Sequence, residues 1–129
     1  MITGSCLCGQ VHYSIAGDVG NIEHCHCKTC RKAHGSAFSS VAAVNENEFK
    51  LSGRQLLSSY ESSKGKLRYF CSNCGTQIYA KRDGKSTIIL RLGSLDNDPR
   101  TQEKKHIWVS QKASWYKIKS DLPEFEEFE

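Results

Sequence analysis

Seven cysteines, set in three tight groups, constrain this 129-residue chain more than any other feature. Cys6-Leu7-Cys8, Cys25-His26-Cys27-Lys28-Thr29-Cys30 and Cys71-Ser72-Asn73-Cys74 space their thiols one or two residues apart, as metal ligands are spaced. Glycines border the outer groups (Gly4, Gly9 and Gly75) and let the backbone turn so that two sulfurs face one ion. An odd number of thiols fits poorly with complete disulfide pairing. The opening Met1-Ile2-Thr3-Gly4-Ser5-Cys6 has neither the charged nor the apolar region of a secretory signal. A cytoplasmic setting is therefore expected, in which cysteines act as ligands or catalytic thiols.

The seven thiols can be divided in two ways. In the first, Cys6, Cys8, Cys71 and Cys74 close around one zinc ion as a saturated, structural tetrahedron. Cys25, Cys27 and Cys30 then form a three-thiolate site with an open fourth position, as a working zinc site requires. In the second, Cys27 and Cys30 join Cys71 and Cys74 in a two-knuckle ribbon, and Cys6, Cys8 and Cys25 have no clear role. His24, His26 and His34 lie near enough to the central group to be a fourth ligand or a proton carrier. A hydrogen-bonded or solvated histidine is the plainer reading of each. Cys27-x-x-Cys30 is also a redox pattern, but Cys25 beside it and the lack of a thioredoxin-like βαβ order favour metal.

Between the cysteines the chain reads as short strands. Val11, Tyr13 and Ile15 alternate as in a half-buried strand, with His12 on the other face. Thr29 to His34 is a helical turn ended by Gly35. Ala37 to Val44 reads as a buried strand and Phe49 to Leu51 as a short one. Leu56–Tyr60 and Lys66–Phe70 flank a hairpin loop. Ile78–Ala80 and Thr87–Leu92 are joined around Asp83-Gly84, and His106–Val109 is a further strand. Trp108 and Trp115-Tyr116 are candidates to wall a pocket, with core packing as their plainer role. Many short strands with Gly and Ser turns argue a mostly β fold of two small sheets in a single domain, 1–129.

Hydrophobic residues make up 38% of the chain. Exchanging Tyr for Gly in that count gives an apolar share of about 42%, slightly under the usual ~45–50%, so metal staples would help the fold. No apolar run approaches the ~18 residues of a membrane span. The formal charge is +4, but residues 121–129 form an acidic tail with five acids and no base. Seven thiolates with two zinc ions subtract three charges and bring the loaded chain near +1. That speaks against a strongly cationic nucleic-acid binder.

These motifs resemble the glutathione-dependent formaldehyde-activating enzyme family, which also includes the centromere protein V domain. The likeness is carried by Gly4-Ser5-Cys6-Leu7-Cys8-Gly9 with Val11-His12-Tyr13, by His24 to Lys32, and by Arg68-Tyr69-Phe70-Cys71-Ser72-Asn73-Cys74-Gly75 with Ile78. Gly93-Ser94-Leu95-Asp96 and His106-Ile107-Trp108 also fit. The chain resembles a compact, bacterial-type member. The resemblance implies a zinc-stabilised two-sheet fold, the β-tent, similar to methionine sulfoxide reductase B and to a Rab-binding accessory factor. It implies the first division of thiols: Cys6, Cys8, Cys71 and Cys74 hold a structural zinc, and Cys25, Cys27 and Cys30 a catalytic one. It further implies condensation of glutathione with formaldehyde to S-(hydroxymethyl)glutathione, a carbon–sulfur lyase activity.

The expected function is therefore a zinc-dependent enzyme with two zinc ions per chain, acting on glutathione or another thiol and an aldehyde. Cys25, Cys27, Cys30 and His26 are its candidate catalytic residues, with His26 or His34 moving the proton. Lys28, Arg31 and Lys32 are candidates to pair with the carboxylates of glutathione. The alternative is a non-catalytic zinc module that binds protein or nucleic acid.

Overall fold

A computed structural model describes residues 1–128, which form ten strands and one α-helix in two sheets. Strands β1 (Ile2–Ser5), β2 (His12–Ile15) and β5 (Phe49–Ser52) make a three-stranded antiparallel sheet in the order β1-β2-β5. The second sheet has seven strands, ordered β10-β3-β4-β9-β8-β7-β6. Its members are β3 (Ile22–Cys25), β4 (Ser39–Asn45), β6 (Leu57–Ser63), β7 (Lys66–Cys71), β8 (Gln77–Arg82), β9 (Thr87–Arg91) and β10 (Glu103–Ile107). Only β10 against β3 is parallel. Helix α1 (Lys28–His34) follows β3, and left-handed Gly35 ends it. The expected mostly β, two-sheet class is what the chain adopts, although one sheet is much larger than the other.

Strand alternation gives the large sheet two chemically different faces. In β9, Ile88 and Leu90 enter the main core, while Ile89 and Arg91 point to the opposite side and line a cavity. In β7, Tyr69 and Cys71 pack with the core, and Lys66 and Arg68 line the cavity. The small sheet covers the core face. From it, Tyr13 lies tilted against Phe49 with ring centroids 5.1 Å apart, and Phe49 meets Tyr79 of β8 edge-on at 5.2 Å. Val11, Ile78 and Leu90 are fully enclosed there.

One expectation changes, and two features go beyond what was expected. The segment expected as a strand over His106–Val109 is shifted, because Trp108 takes a left-handed backbone (φ 56°) and ends β10 at Ile107. Ile2–Ser5, too polar to show a pattern, is a strand because it pairs along β2. The acidic tail is docked. Its backbone runs beside β10, with the His106 N–H donating to the Pro123 carbonyl (2.9 Å) and the Phe125 N–H to the His106 carbonyl (3.0 Å). Glu129, the last acid of that tail, lies outside the described residues. Among the described residues, no helix is long and apolar enough to cross a membrane.

Leu90 has no exposed surface and sits mid-strand between the sheets. Leu90→Ala is expected to lower stability by about 2–5 kcal/mol, read as a drop in the urea midpoint.

Candidate metal centres

The fold gathers all seven thiols into two groups. The sulfurs of Cys6, Cys8, Cys71 and Cys74 lie within 4.8 Å of one another, and so do those of Cys25, Cys27 and Cys30. This is the first of the two divisions; a ribbon joining Cys27 and Cys30 to Cys71 and Cys74 does not form.

The four-sulfur group is built from two matched turns. The Cys6 N–H donates to the Val11 carbonyl (2.9 Å) and the Gly9 N–H to the Cys6 carbonyl (3.0 Å). In the second turn, the Cys71 N–H donates to the Thr76 carbonyl (3.0 Å) and the Gly75 N–H to the Cys71 carbonyl (2.8 Å). Gly9 and Gly75 both take positive φ, +79° and +80°, which a side chain would resist. A hydrogen bond from the Leu7 N–H to Thr76 Oγ1 (3.0 Å) ties the turns together. Cys6 and Cys8 sulfurs are 3.5 Å apart, and Cys8 and Cys71 sulfurs 3.9 Å. A tetrahedron with metal–sulfur bonds of 2.3 Å separates sulfurs by about 3.8 Å, so these residues fit zinc. Burial pushes the Cys6 thiol up to about 11, whereas hydrogen bonds from Thr76 bring Cys74 down to about 5. A cation among the four is what would let all of them ionise.

The three-sulfur group sits at the junction of β3 and α1. Cys25 ends β3, Cys27 caps the helix, and Cys30 lies one turn in, with its N–H donating to Cys27 Sγ at 3.3 Å. The thiols oppose one another's ionisation: Cys25 is held far above its ordinary range by Cys27 and Cys30, and Cys30 is held far below by Cys25 and Cys27. That conflict suits a bound cation. Among the described residues, no fourth cysteine, histidine, aspartate or glutamate joins the group. Its free side is a cavity of about 520 Å³.

The cavity wall holds residues that sequence reasoning did not assign. Arg68 and Arg91 are 4% and 3% exposed, and both line the cavity beside the thiols. Arg68 donates through Nη2 to Cys30 Sγ (3.6 Å) and through Nε to Ser62 Oγ (2.8 Å). Burial, then Arg68 and Arg91, lower the Lys66 ammonium to about 8. Arg82, Lys104 and Trp108 also line the cavity, with Phe128 edge-on to Trp108 at 5.3 Å. The signal was present in Ile88-Ile89-Leu90-Arg91-Leu92, where one arginine interrupts an apolar run in a strand. A charge there is rare without a purpose.

Other candidates lie elsewhere. His26 sits on the opposite face from Cys25 and Cys27, its Nε2 2.7 Å from His106 Nδ1 and its ring packed on Phe38 and Tyr116. His24 bonds Ser40 (2.8 Å) and Glu103 (2.5 Å) on that same face. Neither histidine lines the cavity. The reason is alternation: Cys25 and Cys27 face one way, so the residues between and before them face the other. His34 borders a separate recess with Phe38 and Arg91, and burial lowers it to about 4. Lys28, Arg31 and Lys32 line a surface hollow with Trp115, apart from the thiols. Tyr116 packs with the histidines, and Trp115 is 72% exposed.

Fold and site together define a small two-sheet β protein with two thiol clusters fit for metal, one closed by its own ligands and one opening on a basic cavity. Residues 1–111 match the family model described as glutathione-dependent formaldehyde-activating enzyme, and the chain belongs to that family. An uncharacterised lyase of Schizosaccharomyces pombe is 33% identical over 88 residues, which cover 67% of this chain and 63% of that protein. A Halomonas elongata protein named for glutathione-dependent formaldehyde activation is 26% identical over 129 residues, 93% of this chain and 82% of its own length. A crystal structure of a Rhodobacter sphaeroides protein shares the fold, with a TM-score of 0.62 at 19% identity, covering 79% of this chain and 99% of that one.

The two clusters should differ in what they support. Cys6 and Cys71 belong to the main core, whereas Cys25 and Cys30 pack only in a small satellite with Ile107. Cys74→Ser is expected to abolish the cooperative unfolding transition, while Cys30→Ser keeps it, as followed by circular dichroism against urea. Equal loss in both would make both clusters structural.

Proposed function

We propose that the chain catalyses addition of a thiol, glutathione being the family's named example, to an aldehyde. The observation that carries this reading is the three-thiol cluster, which has no fourth ligand among the described residues and opens on a cavity large enough for a small peptide and lined with positive charge. A closed interaction module would have no use for such a cavity. Zinc held by Cys25, Cys27 and Cys30 would supply a Lewis-acidic position that favours the thiolate form of a substrate thiol at neutral pH.

The protein groups do the rest. Arg68 offsets charge at Cys30 through its 3.6 Å contact. Arg82 and Lys104, which are more exposed than the buried arginines, pair with the carboxylates of glutathione in place of Lys28, Arg31 and Lys32. Ile107 and Trp108 provide an apolar wall. As the carbon–sulfur bond forms, the carbonyl oxygen gains the electrons of its π bond and needs a proton. Lys66 supplies it, in the role expected of His26 or His34. Its pKa of about 8 matches the proton-transfer task better than that of an ordinary lysine.

Two zinc per chain are expected by elemental analysis of protein purified with zinc present. Exchange of glutathione and formaldehyde with S-(hydroxymethyl)glutathione, followed by NMR, should be faster with the protein than without it; no acceleration by the zinc-loaded chain would sink the reading. The protonated form of Lys66 is the donor, so acceleration over the spontaneous reaction should fall as pH rises through about 8. Lys66→Met should remove that pH dependence and slow turnover by about 100-fold.

A further inference from the structure

The cavity has an apolar side that addition of a thiol to formaldehyde leaves without a task. Trp108 packs against the cluster of Cys25, Cys30 and Ile107, and Phe128 meets it edge-on with ring centroids 5.3 Å apart. Both rings line the cavity and both keep accessible surface: Trp108 is half-buried and Phe128 is 54% exposed. Rings left partly in water gain when a further apolar group covers them, and a third ring can join such a pair edge-to-face or offset. Formaldehyde has only hydrogen on its carbon and covers neither ring.

The pair is fixed in place. Trp108 takes a left-handed backbone (φ 56°), a conformation that costs a bulky residue strain and is kept where the surroundings enforce it. It opens the tight turn Val109–Gln111. The N–H groups of Trp108, Val109 and Ser110 donate to the carbonyls of Glu127 (2.8 Å), Phe125 (3.0 Å) and Glu126 (3.2 Å). Lys105 donates through Nζ to the Phe128 carbonyl (3.3 Å). The Lys28 N–H, at the start of α1, donates to Gln111 Oε1 (2.9 Å). One short turn thus holds the tail that carries Phe128 and the helix that carries Cys30. The match to the family model ends at residue 111, so Phe128 reaches the cavity from outside the matched region. Position decides which reactant gains. The carbonyl carbon bonds to a sulfur at the thiol cluster, and Trp108 packs on that same cluster. A group one or two bonds from the carbonyl carbon is therefore within reach of the rings. In glutathione the sulfur-bearing residue is flanked by two polar amides, and Arg82 and Lys104 take the carboxylates.

We propose that Trp108 and Phe128 form an apolar subsite for the carbonyl partner, so that the preferred aldehyde carries an aromatic ring or an alkyl chain of similar size. The inference rests on the thiol-addition reading above. The reaction balances without further reagents. The thiol sulfur bonds to the aldehyde carbon, the C=O π bond passes its electrons to oxygen, and the oxygen takes up one proton while the thiol releases one. The product is a hemithioacetal whose apolar group lies against the two rings.

The test compares phenylacetaldehyde with acetaldehyde, which lacks only the phenyl ring. With zinc-loaded protein and glutathione, acceleration over the spontaneous reaction should favour phenylacetaldehyde by about 30-fold in kcat/KM, the effect of covering one ring-sized apolar group. Phe128→Ala, checked for zinc content and for a cooperative unfolding transition, should reduce that preference by about fivefold or more, since half of the aromatic pair is lost. Acceleration of both aldehydes without preference would overturn the subsite and leave thiol addition standing. Equal losses on both aldehydes in Phe128→Ala, or a loss confined to the KM of glutathione, would also overturn it. Should the wild type accelerate neither aldehyde, NMR titration with 2-phenylethanol, which cannot react, decides. A saturable shift of the Trp108 indole N–H resonance, its midpoint raised by Phe128→Ala, upholds the apolar subsite even though thiol addition falls, and no such shift overturns both.

Discussion

The structure depends on four sulfurs being brought together from two distant turns. Cys6 and Cys8 sit between β1 and β2 of the small sheet, while Cys71 ends β7 of the large one and Cys74 lies in the turn to β8. Each turn could form alone, but neither would fix its sheet against the other. The Leu7–Thr76 hydrogen bond helps, and Cys6 and Cys71 continue directly into the core. A four-thiolate metal site adds binding energy of ~10 kcal/mol or more in zinc-finger peptides, energy that is available only to the folded chain. This suits a chain whose apolar content is modest. A metal held by these four thiols would act at the same seam as the hydrophobic contact between the sheets.

With the sheets joined, strand alternation does the functional sorting. One face of the seven-stranded sheet is apolar and lies under β1, β2 and β5. The other carries Cys25, Arg68 and Arg91 into a common cavity, although these residues come from β3, β7 and β9. β4 lies between β3 and β9 and contributes Val41 and Ala43, small side chains that leave room above them. The volume of the cavity is thus a property of what β4 lacks. The second thiol cluster gains its open side from the same arrangement.

Much of this was legible in the sequence, for reasons that differ by residue. The division of the thiols followed from their spacing and from the family likeness, because ligand pairs are local and their turns need glycine. The strands around Tyr13, Val44 and Leu90 showed through alternation or apolar runs. The strand order did not, since pairing β10 in parallel with β3 joins residues some eighty positions apart. The placement of His26 was half visible: a residue between two cysteines in an extended segment faces away from both. The basic trio Lys28, Arg31 and Lys32 lines a surface hollow apart from the thiols, because nearness in sequence to a ligand on a helix does not put a side chain on the ligand's side. Arg68 and Arg91, far from Cys30 in sequence, reach the cluster through sheet register.

The docked C-terminal segment has a practical consequence. Phe128 lines the cavity and packs against Trp108, while the preceding backbone is held to β10 by its N–H and carbonyl groups. Chain attached after Phe128 would start beside the cavity. A purification tag or reporter placed there would stand at the entrance used by substrate, and a polyhistidine tag would add metal ligands beside the open thiol cluster. Met1 is 83% exposed and does not line the cavity, so a fusion at that end keeps foreign chain away from it.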